Sequence, residues 1–554
     1  MNETVVINSI RPLAAVLTSV LAAGLILLSK NYPNVREGWS IAAALTKFGI
    51  ILSMLPGVLN GQVYRWSFGT FVSGVEFALK ADMLGMIFGL LASFLWIITI
   101  LYTTGYMRGL EEHNQTRFFA AFAISISTAI GIAFSENLLT LFVFYELLSL
   151  ATYPLVAHNE NRKARMAGRK YLAYTFLGGG VLVLGGTALV YHLAGTLTFG
   201  ETAAGLATAD PLLAQVAFAL LFFGFGTKAA IMPFHSWLPD AMVAPTPVSG
   251  LLHAVAVVKS GAFGISRLFL DTYEPHLVAE LGLNLPVATL AVFTFIAASI
   301  IALKKDHLKR RLAYSTISQL SYIILGLALL TPHGITGGLL HIPAHAFMKI
   351  TLFFCAGIIH VETHTDHISE MAGIGKRMPL TMTAFGIASL GMAGIPLLSG
   401  FVSKLFLLIG SIQVTDPVTA IGSPTFAGVI FSVALILSGI LNIAYFWPVF
   451  YTAFFETARK HKSKPLIKDP LRGEKLSYFQ DKLMKVAEKK AGEGSGSNEW
   501  ESRRPWNEST WFMLIPITVA VIGAVILGLV PDQVGFLELA ARVAENSTNM
   551  EVLP

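Results

Sequence analysis

The sequence predicts an all-α, polytopic membrane protein with about fourteen transmembrane helices. Three observations lead there. Of 554 residues, 54% are hydrophobic and only 13% are charged, near half the charged fraction of soluble domains. Apolar runs long enough to cross a roughly 30 Å hydrocarbon core recur from end to end. The runs are continuous rather than alternating, which excludes a β-barrel.

Taken in order, spans are expected near residues 12–29, 40–58, 81–105, 118–135, 137–157, 171–194, 211–231, 248–270, 286–303, 312–331, 338–360, 379–410, 425–455 and 511–531. Arg11 is the only basic residue before the first, and Lys30 and Arg36 follow it. That is the reverse of a secretory signal, so the first span is expected to be retained. Residues 59–80 contain "GQVYRWSFGTF", a short connection expected to pair as a small hairpin on the outer face. Residues 456–510 are the one long hydrophilic insertion. Within it "LSYFQDKLMKVAEKKA" has helical spacing suited to a membrane surface, and "GEGSGSNEW" reads as linker.

Basic residues follow the loops. The odd-numbered connections hold 29 of the 39 Lys and Arg, the even ones and both tails only Arg11, Arg65, Lys80 and Arg542. The positive-inside rule then puts the odd connections in the cytoplasm and both termini outside; a prokaryotic inner membrane is the expected location. The net charge of +6 therefore does not imply nucleic acid. Cys355 is the only cysteine, too few for an iron–sulfur cluster or a cysteine-rich zinc site. Neither a GxGxxG turn nor a P-loop is present. No cofactor, no metal and no catalytic chemistry of its own are expected.

The seventh span carries Lys228 and breaks at Pro233; five spans later "GMAGIPLLSGFVSKLFLL" breaks at Gly394–Pro396 and carries Lys404. Two interrupted helices at corresponding places are the sequence pointer to inverted-repeat transporters. The chain accordingly divides into residues 1–117 (helices 1–3), 118–270 and 286–455 (two five-helix repeats), 456–510 (insertion) and 511–554 (helix 14 and tail).

A charge at the centre of a bilayer costs about 2.5–3.5 kcal/mol even on insertion scales, so each one asks for a function. Lys47, Lys228, Lys259, Arg267, Lys349 and Lys404 stand within apolar spans, with Glu146 the one deep carboxylate. Arg267 is expected to snorkel outward; Lys47 has no evident partner beyond lipid or a neighbouring chain. Burial raises a carboxyl pKa and lowers an ammonium pKa, and an opposite charge draws both back. Glu146 moving relative to Lys228 would then switch the lysine's proton affinity; a static pair pinning two helices is the alternative. His341, His345 and Lys349 recur at i, i+4, i+8 and drift only about 80° around their helix, so they form one polar stripe. His253 and Lys259 lie about 120° apart and need not share a neighbour. Two histidines four apart with no acidic or thiolate partner do not make a zinc site. Imidazoles and low-pKa lysines together suit a hydrated proton relay.

The stretches "KAAIMPFHSWLPDA", "PTPVSGLLHAVAVVKSG", "RRLAYSTISQLSYIILG", "HAFMKITLFFCAG" and "GIPLLSGFVSK" resemble the antiporter-like membrane subunits of complex I, energy-converting hydrogenases and Mrp-type sodium/proton antiporters. The likeness runs over roughly spans 3 to 13. It implies a proton path along the membrane's central plane: Glu146 pairing with Lys228, then His253 and Lys259, then His341, His345 and Lys349, ending at Lys404. Lys170 resembles a sixth-helix lysine of the family, and His235 is a further candidate for proton translocation. "FALKADMLGMIFGLLASFLWIITILYTTGYM" looks closest to the Mrp D subunit, from which the 456–510 insertion departs. The resemblance implies a proton-translocating subunit, exchanging sodium or not, with other membrane subunits as partners and any redox chemistry in those partners. A stand-alone solute carrier and a purely structural helix bundle are the alternatives.

Overall fold

The computed structural model describes residues 5–72, 74–414, 425–456, 508–550 and 552. The expectations for the insertion's surface helix and linker lie outside them. The chain opens with β1 (Val5–Asn8), α1 (Arg11–Leu28) and α2 (Pro33–Leu52). β2 (Gln62–Val72) and β3 (Val75–Ala81) then form the expected antiparallel hairpin. β1 adds to β2 in parallel, Val5 opposite Gln62, a third strand the sequence reading lacked.

The helices that follow are α3 (Met83–Gly109), α4 (Gln115–Ala133), α5 (Leu138–Val156), α6 (Arg162–Ala194), α7 (Pro211–Lys228) and α8 (Thr246–Thr272). After them come α9 (Asn284–Leu303), α10 (Leu308–Ala328) and α11 (Pro332–Thr363). The broken pair α12 (Pro379–Ala393) and α13 (Ser399–Ile412) precedes α14 (Phe426–Phe455), α15 (Trp511–Leu529) and α16 (Phe536–Thr548). Many starts are fixed by side-chain caps that satisfy free N–H groups: Asp82 accepts from Gly85 N, Asn137 from Thr140 N and Asn161 from Ala164 N, each at 2.8 Å.

Twelve described helices are long and apolar enough to cross a membrane, so this is a multi-pass membrane protein. The two expected spans outside that set are α10, whose start holds Lys309, Arg310 and Arg311, and the α12–α13 pair, too short singly. Burial sorts the helices into rings. The apolar stretches of α8 and α11 are wholly enclosed, whereas α1, α6, α14 and α15 turn Leu21, Val181, Val433 and Ile522 outward, as lipid contact requires. α11 is the hub, packing on α10, α13, α12, α15, α16 and α3.

Both breaks are present, and each satisfies its freed backbone. α7 stops at Lys228; Trp237 Nε1 donates to Thr227 O (2.8 Å) and Ile231 N to Gly226 O (3.0 Å). α12 stops at Gly394, whose φ of +93° only glycine adopts freely, and Ile395 N closes on Leu390 O at 3.1 Å.

Two expectations fail. Arg267 does not snorkel: it is fully buried in α8, forked between Asp82 (2.7 Å) and Asp271 (2.9 Å). Three convergent charges can stay inside because each is paired. Lys47 does not face lipid either. It is buried, donates to Ser19 Oγ and lies 5.3 Å from the Trp96 ring centroid.

Candidate functional site

The first half of the site is built where α7 ends. The Lys228 ammonium is fully buried, donates to the carbonyl of Tyr145 on α5 and sits 3.2 Å from that tyrosine's ring centroid. Tyr145 is held in turn by its hydroxyl, which donates to Gly224 O at 3.0 Å. Glu146 is the next residue on α5, and its charge and that of Lys228 are within electrostatic reach. They do not touch. Among the described residues the pair makes no ion-pair contact, and neither Glu146 oxygen has a hydrogen-bond partner. The resemblance implied a pair; the structure has a carboxyl beside, not on, the lysine. The reason is local: consecutive residues point about 100° apart on a helix, so Lys228 lying over the Tyr145 ring leaves the Glu146 side chain on another face. That face packs on α6 at Gly180, where an added Cβ would stand 2.7 Å from Glu146 Cδ.

The second half lies inside α8, α10 and α11. Lys259 Nζ is 2.6 Å from His345 Nδ1, both wholly buried. His345 is also within electrostatic reach of Lys349, His341 and His253. His253 and Lys259 are therefore both within reach of His345, which the sequence left open. The 120° separation assumes a regular helix, but α8 widens to i→i+5 bonding over Leu251–Val255, with Ala256 N donating to Leu251 O at 2.9 Å, which shifts the phase. His253 Nδ1 meets Thr316 Oγ1 at 3.0 Å, while His253 Nε2 and His345 Nε2 have no hydrogen-bond partner among the described residues. Lys349 donates to Ser315 Oγ and to Leu312 O (3.2 Å) on α10.

His341 is held on both nitrogens, by Ser403 Oγ at 2.8 Å and Gln319 Oε1 at 3.0 Å. A carboxamide oxygen only accepts, so the proton is on Nε2 and, in the neutral ring, Nδ1 accepts from the serine. Gln319 Nε2 donates onward to Asn442 Oδ1 (3.3 Å), beside Tyr322 and Ser438. Lys404, on α13, turns back across its break to Met392 O at 2.6 Å and lies 4.9 Å from the Tyr322 ring centroid. It thereby caps a helix C-terminus, where carbonyls are unpaired.

The halves meet through backbone. A Cβ at Gly261 on α8 would fall 2.3 Å from Ala229 N and 2.8 Å from Lys228 C, so α8 abuts the break of α7 directly. Lys170 and His235 are not brought into the row. Lys170 pairs with Asp240 at 2.7 Å with a third of its side chain exposed, and the His235 ring stands 6.3 Å from that of Tyr314. Sequence reasoning missed Tyr145, Ser315, Gln319, Tyr322, Ser403 and Asn442. The spacing Ser315, Gln319, Tyr322 on one face of α10 was the available signal.

Outside the spans a carboxylate is handled differently. Asp366 receives a hydrogen bond from His360 (3.1 Å); burial opposes its charge, but His360 and Lys309 prevail and hold it at about 2.

The family model described as "NADH:quinone oxidoreductase/Mrp antiporter, TM" matches residues 135–431. The chain belongs to this family. It is 30% identical over 528 residues to the N subunit of the NADH-quinone oxidoreductase of Desulforudis audaxviator, covering 93% of this chain and 94% of that one. It is 34% identical over 398 residues to the A/B subunit of a probable K(+)/H(+) antiporter of Rhizobium meliloti, covering 70% of this chain but only 39% of that relative. Among solved structures, the Mrp complex from Dietzia sp. DQ12-45-1b contains a chain with a TM-score of 0.80, 21% identity and 98% coverage of both chains. That likeness concerns the fold.

Proposed function

We propose that this chain is an ion-translocating subunit of a larger membrane assembly, moving protons along the row Glu146–Lys228, Lys259–His345 with His253 and Lys349, His341 and Lys404. Sodium exchange, if present, and any redox chemistry are assigned to the assembly. The row takes the two five-helix units 118–270 and 286–455 as inverted repeats within a fourteen-span topology, with the odd-numbered connections cytoplasmic and both termini outside.

The observation that carries this reading is the Lys259–His345 contact at 2.6 Å, wholly enclosed and, among the described residues, with no carboxylate acting on it. An amine and an imidazole that share one proton line can hold it on either nitrogen. A row of such groups across α8 and α11 has little value as glue: like charges so close would repel if all were protonated. It has an evident use as a conductor. The unpartnered Nε2 atoms of His253 and His345 give bridging water a place to bond.

The test is proton flux into vesicles reconstituted with the purified assembly. Lys228→Ala and Glu146→Gln are each expected to lower flux by about a hundredfold or more, the scale of losing a positioned proton-transfer group, with assembly intact. Normal flux accompanied by loss of assembly would favour a structural role for the buried charges.

A further inference from the structure

The α3–α4 connection and the end of α5 bring together three side chains that the proton row does not use. His158, just past α5, is completely buried, yet neither ring nitrogen has a hydrogen-bond partner among the described residues. Glu112 Oε2 stands 3.7 Å from His158 Nε2 and 3.7 Å from His113 Nδ1. All three ligand atoms of the trio lie within 4.8 Å of one another. The imidazoles face each other with centroids 4.7 Å apart, and the Phe118 ring meets His158 edge-on at 5.1 Å.

The geometry points to a binding site for a divalent transition-metal ion, zinc-like in preference, held by Glu112, His113 and His158. A buried imidazole with both nitrogens unbonded is costly unless something bonds it. A carboxylate 3.7 Å away supplies attraction but no hydrogen bond. Tetrahedral coordination at about 2.0–2.1 Å places ligand atoms roughly 3.3 Å apart, so two edges of the trio need to close by only about 0.4 Å. Two nitrogens and one oxygen suit Zn²⁺ or Co²⁺ and do not suit Ca²⁺ or Mg²⁺, which take oxygen ligands. His113 is about half exposed and Glu112 less so, which leaves an entry path and an open coordination position. Arg117, the nearest cation on α4, is already paired with Glu160. With no partner on His158 Nδ1, the site lacks the second contact that usually orients a metal-bound imidazole. Binding is therefore exchangeable rather than structural. The ion would tie the α3–α4 connection to the end of α5, the helix that carries Glu146.

The experiment is metal titration of the purified full-length chain in its native membrane complex after chelator treatment. Co²⁺ is read by its visible absorption, Zn²⁺ by competition and by elemental analysis. Other surface histidines contribute the same background to every variant, so the difference from wild type is the readout. His158→Ala and Glu112→Gln are each expected to lose one equivalent of metal per chain and the tetrahedral Co²⁺ band. Equal stoichiometry and affinity in wild type and variants would overturn the site and leave Glu112–His158 as an ion pair. If His158→Ala fails to assemble, Glu112→Gln and His113→Ala, both on the exposed connection, make the same comparison.

Discussion

The two interrupted helices each present one lysine, and the lysines are used differently. At the first break Lys228 is the last helical residue, and its ammonium crosses to another helix, landing one residue from Glu146. At the second, Lys404 follows the break and folds back onto Met392 O of its own broken pair, over Tyr322. The first lysine therefore has a carboxyl beside it that is free of hydrogen bonds. The second is surrounded by neutral dipoles: a helix-end carbonyl, a phenol ring and the Ser403–His341–Gln319 chain. On the proposed reading, charge state at the first break would answer to the position of one acid, and at the second to the state of the relay next to it.

Among changes that leave every charged group in place, moving that acid should have the largest effect. Gly180→Ala places a methyl 2.7 Å from Glu146 Cδ, pushing the carboxyl off α6. Flux is expected to fall roughly ten- to hundredfold, as for an ångström-scale misplacement of a reacting group. The control is Gly185→Ala, where the nearest atom is Leu220 Cδ1 at 3.9 Å. Because alanine favours helix, a loss at 180 cannot come from a weakened α6.

The second half should answer to polar satisfaction instead. Gln319→Leu strips His341 Nε2 of its acceptor and Asn442 Oδ1 of a donor. Thermal unfolding of the solubilised complex is expected to show about 1–3 kcal/mol lost, with a smaller flux defect than at Gly180. If Gln319→Leu matched Gly180→Ala in flux, the division between the halves would be wrong.

The smallest effect concerns the carboxylate that is fully engaged. Asp366 is held at about 2 in the folded protein, against about 3.9 in an unfolded chain. A depressed carboxyl stabilises above its unfolded pKa, and that contribution disappears as pH falls from about 4 through 2. Wild type should exceed Asp366→Asn in thermal stability at pH 7 by a small margin, since the group is a third exposed. The margin should shrink on acidification below pH 4.

What the sequence revealed and what it hid divide along physical lines. The spans were legible because apolar length is a local property, and both breaks because Pro233 and the Gly394–Pro396 pair interrupt apolar runs. The His341–His345–Lys349 stripe followed from helical spacing. Pairings across helices were not local: Gln319 and Asn442 are 123 residues apart, and Arg267 finds Asp82 at a separation of 185. The widened turn at Leu251–Val255, which shifts the helix phase before Lys259, is not something residue spacing alone reveals. The likeness to an Mrp D subunit rests on sequence alone, since the two relatives named are of the A/B and N types.

On the proposed reading the buried lysines exchange protons rather than merely carry charge. Lys228→Arg tests it most directly, because a guanidinium keeps the positive charge and the contact to Tyr145 but cannot be deprotonated in a protein. The assembly should form normally, with proton flux as low as in Lys228→Ala. Flux near wild type in the arginine variant would contradict the claim.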